Sequence, residues 1–154
     1  MNETGLILRQ IALEQQHASE VLALCRSRPE AALAAACIDY LRLIESRARA
    51  RARAHARRLQ ELGVVRETEV AAAGPALTLP RNTSEINSEE LATYTNNLMT
   101  HLESFAHLDT LAASHYALAD WRAVSGLDAD AILEEQRRYA AIATLTASRG
   151  RGSQ

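Results

Sequence analysis

Glu14 and His17 stand one helical turn apart on a stretch whose apolar residues recur at helical spacing, so both side chains can point to one spot. Both fall on the apolar side of that stretch. Two more polar residues break the hydrophobic rule elsewhere. His115 lies beside a heptad-spaced seam of Leu91, Leu98, Phe105, Ala112 and Ala119, and Glu135 sits between Ile132 and Tyr139. Carboxylates with imidazoles are the donor set that non-haem iron or manganese takes in helical bundles. Glu14, His17, His115 and Glu135 are therefore candidate metal ligands, with His101 next, and the implied cofactor is non-haem iron, or else manganese or zinc. The plainer reading is a hydrogen-bonded Glu–His pair in the core. Glu-x-x-His is a short and common pattern, and any buried carboxylate needs a partner.

The remaining polar residues carry weaker signals. His55 falls on the core side of its helix and His101 flanks the seam, at heights where the two could pair; His107 points outward. Arg47, Arg49, Arg51, Arg53, Arg57 and Arg58 follow one another at short spacing. A spacing of two on a helix spreads charge over two flanks, which reads as a solvated surface with long stems covering the core rather than a nucleic-acid stripe. An acidic protein or ligand could dock there. Cys25 and Cys37 are too few for a disulfide framework, and counting along the helices puts them at different heights, so each reads as a small buried hydrophobe. There is no phosphate loop, no paired-cysteine metal motif and no ordered Ser–His–Asp set, so no catalytic residue is assigned and an enzyme is the less favoured reading.

Four helical segments must position these groups. The first spans about Thr4 to Arg26, with Ile7, Ile11, Ala18, Val21, Leu22 and Cys25 on one face. Ser27, Pro29 and Glu30 form a start signal for the second, which carries Ala34, Cys37, Leu41, Ile44, Ala48, Leu59 and Leu62 and stops at Gly63. From Val64 to Ile86 the period vanishes; Gly74, Pro75, Pro80 and Asn82 mark a connector, in which Val64 to Val70 could form a short strand. Asn87 and Glu90 form a second capping box, and the third helix then runs unbroken to Val124-Ser125-Gly126. Asp128 caps a fourth helix that ends before Gly150. The expected fold is all-α: an antiparallel four-helix bundle, up-down-up-down, with the long connector between helices two and three. A ferritin-like order with a lengthwise crossover is the alternative. Residues 1–148 form a single domain and 149–154 a flexible tail.

Composition agrees. The 154 residues are 47% hydrophobic but only 4% aromatic, which suits close packing of Ala- and Leu-rich helices. A net charge of −2 gives no global field toward nucleic acid or membrane. Met1 to Gly5 lacks a basic segment leading into a long apolar run, and no stretch is apolar enough to span a bilayer, so the expected compartment is the cytoplasm.

Two stretches resemble hemerythrin-like, HHE-type cation-binding domains. One is Ile11 to Leu24 with Glu14 and His17, followed by Ile38-Asp39-Tyr40-Leu41. The other is His101-Leu102 through His115-Tyr116 to Asp120-Trp121. The resemblance implies a four-helix bundle holding a non-haem di-iron centre for oxygen, redox or iron sensing, with His17 and His101 at ligand positions. The chain departs from that pattern where a His-His-x-x-Glu element would fall, since the Arg/Ala run stands there, and Phe105 occupies the place of a Glu ligand. The leading expectation is a small hemerythrin-like bundle that binds iron. The alternative is a metal-free regulatory or adaptor bundle that binds a protein partner or forms a homodimer.

Overall fold

A computed structural model describes residues 3–27, 31–64 and 88–152. These form five helices, α1 (Glu3–Arg26), α2 (Ala31–Glu61), α3 (Ser88–Ala113), α4 (Leu118–Ser125) and α5 (Ala129–Gly152), with no strand among the described residues. The all-α expectation is met. Pro29 and Glu30 of the first start signal, Asn87 of the second, and the strand suggested for Val64 to Val70 beyond Val64 itself lie outside the described residues.

Local chemistry explains several helix ends. After α2 the chain turns at Gly63, whose φ of 76° suits a residue without a Cβ, and the Val64 N–H donates to the Leu59 carbonyl at 2.9 Å. Gly126 ends α4 in the same way with φ 63°. Asp128 caps α5 as expected: the Ala131 N–H donates to its Oδ1 at 2.8 Å. Helix α5 continues through Gly152, beyond the end expected before Gly150.

The third helix departs from expectation. It breaks after Ala113, and Ser114 to Ala117 form a turn before α4 begins. No Gly or Pro marks this break. Its cause is tertiary: the turn lets Tyr116 and the fully buried Trp121 fold back over Ile11 and Ala112, together with Ile7, Leu8, Val124 and Leu127. One straight helix could not place all of these side chains on one cluster.

Helix α2 packs against every other helix. Residue pairs fix the directions. Glu14 lies by Arg47 and Cys25 by Cys37, so α1 and α2 are antiparallel. Arg49 meets His101 and His55 meets Asp109, so α2 and α3 run the same way. Likewise His17 meets Glu135 and Glu20 meets Tyr139, which makes α5 parallel to α1. The order is thus up, down, down, up for α1, α2, α3 and α5. This corrects the up-down-up-down expectation, which rested on equal helix lengths and the shortest connection, and it follows the crossover alternative in direction. The cysteines are buried as expected, but the different heights expected for them are corrected. Cys25 and Cys37 are free, buried and close enough for their thiols to hydrogen-bond, because the hairpin brings them to one level.

The main core joins Val21, Leu22, Leu33, Ile38, Leu41, Ile44, Leu98 and Ile142 from α1, α2, α3 and α5. A smaller cluster seats Phe105 against Ala48 and Ala52, where the small residues leave room for the ring. No helix among the described residues is long and apolar enough to cross a membrane. Leu41, with 0% of its surface exposed, anchors the main core, whereas Leu133 is 61% exposed on α5. Leu41→Ala should lower unfolding free energy by about 2–5 kcal/mol, and Leu133→Ala should change it by less than about 0.5 kcal/mol; urea denaturation of the two variants beside the wild type checks both.

Candidate functional site

Helix α2 carries its polar residues inward at two levels, and each level meets carboxylates from other helices. The first level is acidic. Tyr40 follows Cys37 and precedes Leu41 and Ile44 on the buried face of α2, so its phenol points into the bundle. Its hydroxyl donates to Glu135 Oε1 at 2.7 Å, and His17 Nδ1 lies 2.7 Å from the same oxygen. The His17 ring stacks on Tyr139, with centroids 3.8 Å apart. Glu135 is fully buried, yet its second oxygen, Oε2, has no hydrogen-bond partner. Glu14 comes to the same level from α1, 2% exposed, and its Oε1 also lacks a partner; the nearest cation, Arg47 Nη1, is 3.6 Å away. Burial pushes the Glu14 carboxyl up from its ordinary range, against the pull of Arg47 and Arg51 and with the help of Glu135. Burial first, and then the bond to Glu135, holds the Tyr40 phenol well above its usual range, so it remains a donor.

The second level is an ion network. Asp109 of α3 accepts from Arg51 Nε at 2.9 Å and His55 Nε2 at 2.7 Å on Oδ1, and from Arg51 Nη2 at 3.2 Å on Oδ2. His55, with no exposed surface, hydrogen-bonds through Nδ1 with the Tyr116 hydroxyl, 2.9 Å away, and meets Trp121 edge-on. Burial pushes the Tyr116 phenol up to about 12, which keeps its proton in place. For Asp109, burial works toward a higher pKa, but the bonds from His55 and Arg51 outweigh it and hold the carboxyl below its ordinary value.

Sequence reasoning assembled part of the first level. His17 and Glu135 meet at 2.7 Å and Glu14 reaches the same level of the bundle without bonding either, although α5 runs parallel to α1 and not against it. His115 does not join them: it lies exposed in the turn after α3, because the helix breaks before it. His101 is elsewhere again, with its Nδ1 accepting from Arg49 Nη2 at 3.2 Å and its ring against Phe105. The pairing of His55 with His101 is replaced by the bonds of His55 to Asp109 and Tyr116. Arg49 and Arg51 are buried, not spread over a solvated flank: Arg49 binds Glu45 and lies over Phe105, and Arg51 binds Asp109. Among the described residues, no three His, Cys, Asp or Glu side chains are grouped closely enough to hold a metal ion.

Tyr40, Arg51 and Asp109 were missed. Spacing held the signal for each: Phe105, Asp109 and Ala112 share a face of α3, as Ala48, Arg51, Ala52 and His55 do on α2. Charge argued against placing them inside, and only the partner across the interface reverses that argument. Comparison with known proteins gave no match to any family model, curated protein or solved structure. The hemerythrin-like resemblance therefore rests on the residue pattern alone.

The two carboxylate levels carry opposite pH signatures. A depressed pKa means that Asp109 contributes its stability above the ordinary carboxylate value of about 3.9 and loses it as pH falls through the lower folded value. A raised pKa means that Glu14 is least costly below about 4.3 and weakens the fold as pH rises through its higher folded value. Asp109→Asn should therefore lose about 3–5 kcal/mol at neutral pH, with the gap to wild type narrowing at pH 3. Glu14→Gln should gain on the wild type between pH 4 and pH 8. Urea denaturation of both variants across pH 3–8 reads both trends.

Proposed function

We propose that this chain is a small metal-binding protein, a four-helix bundle of α1, α2, α3 and α5 with α4 as a cap, which holds one divalent cation, iron or manganese, at Glu14, His17 and Glu135. One observation carries this reading: two buried carboxylates from different helices stand at one level beside a histidine, each with an oxygen that accepts no hydrogen bond, that of Glu14 having only Arg47 Nη1 at 3.6 Å. An unpaired buried acceptor is costly, and a hard cation removes that cost for both residues at once. As they stand, the three side chains are not grouped closely enough to share an ion, so binding requires Glu14 to turn toward Glu135 and the bond between His17 and Glu135 to give way.

The donor set suits one ion. It does not suit the di-iron centre implied by the hemerythrin-like resemblance. That centre needs more imidazole and carboxylate ligands, and the further expected ligand, His101, is bonded to the Arg49 cation. A bound iron would supply a redox-active centre, which agrees with a role in oxygen, redox or iron sensing. Tyr40 would orient Glu135, and Tyr139 would fix the His17 ring by stacking.

Elemental analysis by mass spectrometry tests the proposal on protein expressed with added iron. Near-stoichiometric iron or manganese is expected in the wild type, with loss of most of it in His17→Ala and in Glu135→Gln. Metal-free wild type with full helical circular dichroism would overturn the proposal and leave the adaptor reading, in which the bundle acts through contact with another protein.

A further inference from the structure

The hairpin of α1 and α2 carries the two cysteines of the chain to one point in the main core. Register places them there. Glu14 of α1 lies by Arg47 of α2; Cys25 follows Glu14 by eleven residues and Cys37 precedes Arg47 by ten, so both reach the same level to within about one residue's rise of 1.5 Å. Eleven residues is also close to three full turns, which keeps Cys25 on the face of α1 that Glu14 presents. Both thiols are free, 1% and 0% exposed, and in hydrogen-bond contact with each other. We propose that Cys25 and Cys37 form a peroxide-responsive dithiol, which closes reversibly to an intramolecular disulfide and staples α1 to α2.

The contact has a chemical use beyond packing. A thiol is a weak donor and a weak acceptor, so the bond between the two sulfurs adds little to a core whose other members there, Val21, Leu22, Leu33 and Ile38, are aliphatic. Two sulfurs in contact across a hairpin can instead form a covalent bond. Hydrogen peroxide supplies the oxidising equivalents. One sulfur, as thiolate, attacks the O–O bond and becomes a sulfenic acid, and the departing hydroxide takes up the proton the thiol gave away, leaving as water. The second sulfur displaces the hydroxyl of the sulfenic acid, which leaves with that sulfur's proton as a second water. Two thiols and one peroxide thus give one disulfide and two waters. The hydrogen bond from Cys25 draws the Cys37 thiol down from its ordinary value, against burial, and so favours a thiolate in the pair.

Access is gated by the end of α1. Cys25 lies in the last turn of this helix, which ends at Arg26, and exposed Ser27 follows. Terminal turns open locally at little cost. That opening uncovers Cys25 and, across the interface, Cys37, and a small uncharged peroxide can enter through it. The closed disulfide then ties the chain into a short loop and restricts the unfolded ensemble. The inference does not depend on a cation at Glu14, His17 and Glu135.

Folded full-length protein, kept in chelator so that iron does not drive the oxidation, is treated with hydrogen peroxide, and its thiols are then alkylated in denaturant. Loss of both alkylatable thiols is expected in a chain that runs as a monomer on a non-reducing gel, with both recovered after dithiothreitol. The chain has two cysteines, so an intramolecular disulfide can only join Cys25 to Cys37. The oxidised protein should unfold at a midpoint higher by roughly 5 °C or more, and peroxide-treated Cys37→Ser should show no such rise. Thiols that stay reduced in the folded protein but oxidise in urea, a loss that dithiothreitol does not reverse, disulfide-linked dimers as the main product, or an unchanged midpoint in the bonded protein would each overturn the inference. If Cys37→Ser does not fold, the thiol count and the midpoint of the wild type still decide.

Discussion

Asp109 takes the guanidinium of Arg51 and the imidazole of His55 on one carboxylate, and the seating of α3 on α2 depends on that arrangement. Helix α2 is the element that every other helix touches, and it brings basic groups into the interior. Without an anion from α3, two polar side chains would be desolvated with no compensating bond. The network also explains the break in the third helix. Tyr116 has to reach the far nitrogen of His55, and Trp121 has to close over the ring, so the chain leaves helical geometry at Ser114.

At the other level the carboxylates lack such a match. Glu14 and Glu135 are as well buried as Asp109, but each keeps an unbonded oxygen, and the nearest arginine stands off at 3.6 Å. The protein therefore contains one carboxylate whose ionised form the fold supports and another whose ionised form it opposes. Sites that act on ions or protons are built from the second kind, because the unpaired atoms hold binding capacity that folding has not used.

Alanine sets the spacing that makes both features. Ala48 and Ala52 let Phe105 approach α2, and Ala18, Ala48 and Ala106 leave a groove of about 330 Å³ between α1, α2 and α3. A chain with so few aromatic residues places those it has where polar groups need a flat neighbour: Tyr139 on His17, Trp121 on His55, and Phe105 under Arg49.

Helical content, most helix ends and the inward faces of Glu14, His17 and Glu135 were legible in the sequence. They follow from local physics: the period of 3.6 residues, the positive φ open to Gly63, and the capping oxygen of Asp128. Whether charged residues such as Arg51 and Asp109 lie inside is not local, since burial of either is unfavourable until the other is in place. The same holds for the direction of α3 along α2, which the shortest-connection argument got backwards. That argument counts only chain length, whereas the orientation is decided by which residues of α3 meet Arg49, Arg51 and His55. The removal of His115 from the site belongs here too. Its position beside the seam assumed an unbroken helix, and the break comes from Tyr116 and Trp121 finding partners far away in the chain. The sequence by itself determined that the chain is helical and which faces turn inward; the tertiary structure alone decided which charges meet there, because only contact across helices compensates for taking a charge out of water.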